Sequence, residues 1–92
     1  MGSHVYARGM CRNITTLRGL NPAATDEEIT SAARQYVRKV SGVTKTSKDT
    51  EGAFELAVSR IAQVTEELLT TLPPRRLPPP TVPPLRRLRS PT

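Results

Sequence analysis

Residues 23–72 contain no proline, and the apolar side chains in that stretch recur at helical spacing. Proline stands just before it at Pro22 and just after it at Pro73 and Pro74, with six more further on. A proline inside a helix removes a backbone donor and clashes with the preceding turn. The prolines therefore mark out 23–72 as the part of the chain where long helices can form.

Two helices fit there. Thr25-Asp26-Glu27-Glu28 has the capping-box pattern, in which the Thr25 hydroxyl accepts from the Glu28 amide and the Glu28 carboxylate accepts from the Thr25 amide. Ala24 and Ile29 occupy the staple positions on either side of that cap. Ile29, Ala32, Ala33, Tyr36, Val37 and Val40 then fall on one face. Acids crowd the first turn and Arg34, Arg38 and Lys39 the last turns, which complements the helix dipole. Gly42 supplies a stop, so the pattern predicts a helix over 26–40.

After a polar connector, Ser47 or Asp49 can cap a second helix of about 24 residues, ended by Pro73-Pro74. Its apolar face is Phe54, Ala57, Val58, Ile61, Thr65, Leu68, Leu69 and Leu72. Upstream, Cys11, Ile14, Leu17 and Leu20 recur every third position. Asn13 as cap and Gly19 as stop there predict a short helix at about 14–18.

The expected fold class is all-α: a small helical hairpin with a short N-terminal helix and a disordered Pro/Arg-rich C-terminal tail. Three segments follow. Residues 1–9 show no periodicity and read as a leader or cloning remnant, with Met10 an alternative start. Residues 10–72 form the helical domain and are expected to fold without the rest. Residues 73–92 hold eight of the nine prolines and five arginines without an acid, a composition suited to extended polyproline-like disorder.

The net charge of +6 points to nucleic acid only until it is located. Residues 10–72 carry eight basic and eight acidic side chains, so that segment is neutral, and the excess lies in Arg8 and the tail. With no tryptophan, one phenylalanine and two tyrosines, the core must be aliphatic, and stacking platforms for single-stranded nucleic acid are scarce. No apolar run is long enough for a membrane span. One cysteine cannot form an intramolecular disulfide, which suits a reducing, cytoplasmic setting.

Few residues carry chemistry. Cys11 is the one thiol; it becomes an N-terminal nucleophile if translation starts at Met10 and that methionine is removed. It is equally the first apolar position of the short helix, and free cysteine is commonly buried. The only histidine is His4, so a hydrolytic triad in 10–72 has no base and a structural zinc site has no ligand set. No cofactor is expected. Arg34, Arg38, Lys39, Lys45 and Lys48 form a basic patch suited to phosphate contacts, although dipole complementarity also accounts for it. Asp26, Glu27 and Glu28 are explained by the cap they build.

The runs Met10-Cys11-Arg12-Asn13-Ile14, Pro22 to Ile29, and Gln35-Tyr36-Val37-Arg38-Lys39-Val40-Ser41-Gly42 resemble a family of short bacterial proteins known as domain of unknown function 2277. The likeness continues through Lys45, Ser47, Phe54, Ala57, Val58, Leu68 and Leu69 and covers about 10–72. It implies a small helical protein of no established activity that usually begins at the position of Met10. The chain departs from the pattern at Ala23, Val43 and Thr46, and most of all in its tail.

The reading that follows is a non-enzymatic protein-interaction or self-association module. Its candidate face is Leu68, Leu69 and Leu72, where the second helix is expected to outrun the first by about 14 Å. A two-fold antiparallel homodimer, or an unidentified protein partner, would cover that end. The alternatives are a low-specificity nucleic-acid binder using the Arg34–Lys48 patch, and an N-terminal-cysteine enzyme or thiol redox sensor.

Overall fold

A computed structural model describes residues 14–75 and 77–89. Within them the chain forms three helices: α1 (Asp26–Ser41), α2 (Glu51–Thr71) and the single-turn-and-a-half α3 (Pro84–Arg89). No strand occurs among the described residues. Cys11, Arg12 and Asn13 lie outside them, as does the whole of residues 1–9.

The capping box forms as its sequence requires. The Glu28 amide donates to Thr25 Oγ1 at 3.1 Å, and the Thr25 amide donates to Glu28 Oε1 at 2.9 Å. The Ile29 amide closes the first helical turn on the Thr25 carbonyl. At the other end Gly42 takes φ 75°, and its amide donates to the Arg38 carbonyl. That left-handed conformation favours glycine, because a Cβ would meet the following carbonyl. Ser41 braces the turn, donating its hydroxyl to the Val37 carbonyl and accepting from the Val43 amide.

The cap position of α2 is Thr50 rather than Ser47 or Asp49. Neither expected side chain caps it. The Ser47 carbonyl instead accepts from the Thr50 and Glu51 amides, and the Ser47 amide donates to Thr50 Oγ1 at 2.8 Å. A hydrogen-bonded turn over 47–51 thus delivers the chain into the helix. At the C-terminus the Leu72 amide bonds the Leu68 carbonyl, and Pro73, which has no N–H, ends the ladder.

α1 and α2 run antiparallel. Near the connector Arg34 meets Glu55, and near the other end Asp26, Ile29 and Thr30 share a crevice with Ala62, Gln63 and Glu66. The core between them is small: Ala33, Val37, Phe54 and Val58 are buried together, with Val43, Ala57, Ile61 and Ala62 packed around them. Burying an aliphatic or aromatic side chain of this kind stabilises by roughly 1.5–3 kcal/mol. Tyr36 and Val40, expected on the same face, remain exposed.

Two segments depart from the sequence expectation. Residues 14–20 are not a helix; they run irregularly into a turn at Arg18-Gly19. Leu17 and Leu20 line a cleft with Leu69 and Leu72 at the end of α2, while Ile14 stays exposed. The second departure is the tail, expected to lie apart from the fold. Arg18 donates twice to the Pro73 carbonyl, at 3.0 and 2.7 Å. Gly19, at φ 92°, sits so close to Arg75 that a Cβ there would lie 3.0 Å from the Arg75 Cβ. Beyond it, Pro83 is buried and α3 starts at Pro84, whose fixed φ suits a first helical position. Arg86 then reaches the buried Glu28 of α1.

Candidate functional site

Of the residues singled out from the sequence, Cys11 lies outside the described residues, and those from Thr25 onward have a definite place. Arg34 leaves α1 toward α2 and forms a two-pronged ion pair with Glu55, Nη1 to Oε2 at 2.6 Å and Nη2 to Oε1 at 3.1 Å. Its guanidinium carbon also stands 6.0 Å from the centre of the Phe54 ring, within cation–π range. Hydrogen bonding to Arg34 holds the Glu55 carboxyl below the usual carboxylate range, with Arg34 and Arg38 adding electrostatic attraction. The same hydrogen bonds raise Arg34 further. The residue is therefore an internal strut between α1 and α2, not an open phosphate contact.

The rest of the basic patch is looser. Lys45 and Lys48 are exposed on the connector, while Arg38 and Lys39 are half-buried on the last turns of α1. The structure brings these four to one end of the hairpin without an arginine fork among them that is both free and central.

Glu28 has the most constrained environment of any acid described. Its side chain is 1% exposed, and Arg86 grips it through Nε to Oε2 and Nη2 to Oε1, both at 3.0 Å. Buried carboxylates require such pairing, because an uncompensated charge away from water is costly. The sequence identified Glu28 as a cap. It gave no sign of the second partner, which lies 58 residues away.

The three leucines read as one face are separated by the structure. Leu69 is half-buried and lines a cleft of about 410 Å³ with Leu17, Leu20 and Leu72, beside the Arg18–Pro73 contact. Arg18, Arg75, Asp26 and Glu66 in its lining give that cleft mixed charge. Leu68 points elsewhere and is 53% exposed. The overhang that motivated the face is also smaller than expected. At 1.5 Å per residue, the 16 residues of α1 and 21 of α2 span about 24 and about 32 Å. Residues 17–20 and 72–75 cover that end from within the same chain.

A different apolar stripe remains open. Leu56, Val64 and Leu68 are 52%, 63% and 53% exposed and recur on one i, i+4 ridge, with Arg60 between Leu56 and Val64. The exposed Ala53 extends the same face toward the helix start. Sequence reading missed this ridge because Phe54, Val58 and Ile61 define a stronger stripe that absorbs the helical pattern. The available signal was Leu56 and Val64, two large apolar residues that the predicted buried face leaves out.

The family model described as Uncharacterized conserved protein (DUF2277) matches residues 10–90. The chain belongs to this family. The match includes most of the Pro/Arg segment, which the motif resemblance over 10–72 left out, and it agrees with the packing of that segment on α1. No curated protein and no solved structure matches the chain.

Among the described residues no three His, Cys, Asp or Glu side chains converge as metal ligands, and no helix is long and apolar enough to cross a membrane.

Proposed function

We propose that this chain is a non-enzymatic, cytoplasmic interaction module that works through the exposed ridge of α2. The observation that carries the reading is the alignment of Leu56, Val64 and Leu68, each about half exposed or more, on one face of a helix whose other face packs on α1. Singly placed surface leucines are ordinary, but a row of them on one helix is the form in which helix-binding surfaces present their anchors. The scaffold supports this use. Among the described residues its core is five buried apolar side chains plus a surrounding layer, so it has little capacity for an enclosed substrate, whereas the 21-residue α2 offers a long edge.

The nucleic-acid reading loses its central arginine to Glu55 and gains no new contact in return. The thiol reading rests on Cys11, outside the described residues.

A photo-crosslinking amino acid at position 64, incorporated in native cells, tests the proposal against the same probe at position 45. A discrete adduct at 64 and none at 45 is the expected result. Adducts confined to 45, or equal at both sites, would overturn it.

A further inference from the structure

The α2 ridge carries its own instructions for what should sit on it. Leu56, Arg60, Val64 and Leu68 follow one another at i+4, and Glu67 flanks the ridge beside Leu68. All five are exposed. This face thus holds one cation and one anion, seven residues apart. Along the helix that separation is about 10.5 Å, too far for Arg60 and Glu67 to pair within one chain. Among the described residues, Arg34 pairs with Glu55 and Arg86 with Glu28, which leaves this face out of both pairs. The ridge is therefore amphiphilic in a directional way: apolar at both ends, positive before its middle and negative after it.

Resting on the interaction reading above, we infer that the partner is a second copy of this chain, docked antiparallel through α2 about a two-fold axis near residues 62–64. Charge decides the direction. A parallel pairing would set Arg60 against Arg60 and Glu67 against Glu67 of the second copy. An antiparallel one sets Arg60 of each chain toward Glu67 of the other, making two attractive pairs by symmetry. The apolar positions favour a neighbouring register of the same antiparallel arrangement. Centring the axis at residue 62 places Leu56 opposite Leu68 of the second copy, twice, and brings Val64 beside the stem of Arg60. The register that suits Arg60 and Glu67 best differs from this one by three residues, about 4.5 Å, which an extended arginine side chain spans. Packing of i±4 ridges from two helices is a common helix–helix geometry, and an isologous two-fold contact closes on itself. The exposed Ala53 leaves room for the second helix at the end of the contact. The area available is that of a single helix edge, which places the complex among small, reversible interfaces.

Sedimentation equilibrium of the full chain from nanomolar to high micromolar concentration, with far-ultraviolet circular dichroism to confirm folding, tests the arrangement. The wild type should dimerise reversibly. Arg60→Glu and Glu67→Arg should each weaken the dimer about tenfold, because each converts two attractive pairs into repulsive ones. The double variant Arg60→Glu/Glu67→Arg should recover most of the loss. A dimer that ignores both single substitutions, or a double variant no better than the singles, overturns the antiparallel register while leaving self-association intact. A chain that stays monomeric at high micromolar concentration overturns the second copy as partner; crosslinking at position 64 to a different protein would then leave the interaction reading standing.

Discussion

At the start of α1 one carboxylate holds two parts of the chain together. Glu28 accepts from the Thr25 amide and from both prongs of Arg86 while almost fully buried. Removing one member of a buried pair leaves the other charge uncompensated and typically costs 3–5 kcal/mol; with Arg86 still 22% exposed, a smaller loss is appropriate. Glu28→Gln keeps the shape and an acceptor oxygen but not the charge, and should destabilise by about 2 kcal/mol. Arg86→Met made on top of it should add little, whereas Arg86→Met alone should be nearly as costly as Glu28→Gln. Thermal melts of the four proteins give this cycle directly, and additive losses would mean the pair is not formed.

The Arg34–Glu55 pair behaves differently, because it is largely solvated. Its carboxyl lies below the ordinary value of 4.5 in the folded chain. A lowered folded value means that the contribution is complete above the unfolded value and disappears as pH falls through the folded one. The melting midpoint of Glu55→Gln should accordingly trail that of the wild type at pH 7 and converge with it in acid. A gap that widens toward low pH would contradict the pairing.

Among the elements, α1 was legible because every local signal agrees: cap, staple, periodicity, dipole complement and glycine stop all lie within 20 residues of one another. Only its last residue, Ser41, extends beyond the expected end. α2 was legible at its proline end and less so at its start, where a turn built by the Ser47 carbonyl and the Thr50 hydroxyl replaces a side-chain cap. The segments before α1 and after α2 were not legible. What fixes them is Arg18 on the Pro73 carbonyl and Arg86 on Glu28, contacts made across 55 and 58 residues that no local pattern encodes.

These contacts change the expectation for a shortened chain. Cut after Leu72, the protein loses the Arg18 and Glu28 partners and the burial of Pro83. Part of that gain is offset in the intact chain, since Arg75 Nη1 and Thr15 Oγ1 are buried without hydrogen-bond partners. The shortened chain should keep its helical circular dichroism but melt with a stability lower by about 1–3 kcal/mol. An unchanged midpoint would restore the reading of 10–72 as self-sufficient.

For the molecule as a whole, the distribution of charge separates the neutral folded span from the basic excess around it. The net charge of +6 arises outside the neutral span 10–72, and within that span Arg34 of the basic patch is tied to Glu55. Any affinity for duplex DNA should therefore be weak, salt-sensitive and borne by the tail arginines. Each phosphate contact contributes about 0.9 to the slope of log affinity against log salt, so the bearer can be identified by substitution. Lys45→Glu with Lys48→Glu should leave that slope nearly unchanged. Serine at positions 75, 76, 87 and 89, with Arg86 kept so that its pair with Glu28 survives, should flatten it. If the lysine pair instead lowers the slope by about 2 and the tail variant does not, the connector is the binding surface. The exposed α2 ridge would then need another explanation, because a phosphate backbone offers nothing to Leu56, Val64 and Leu68.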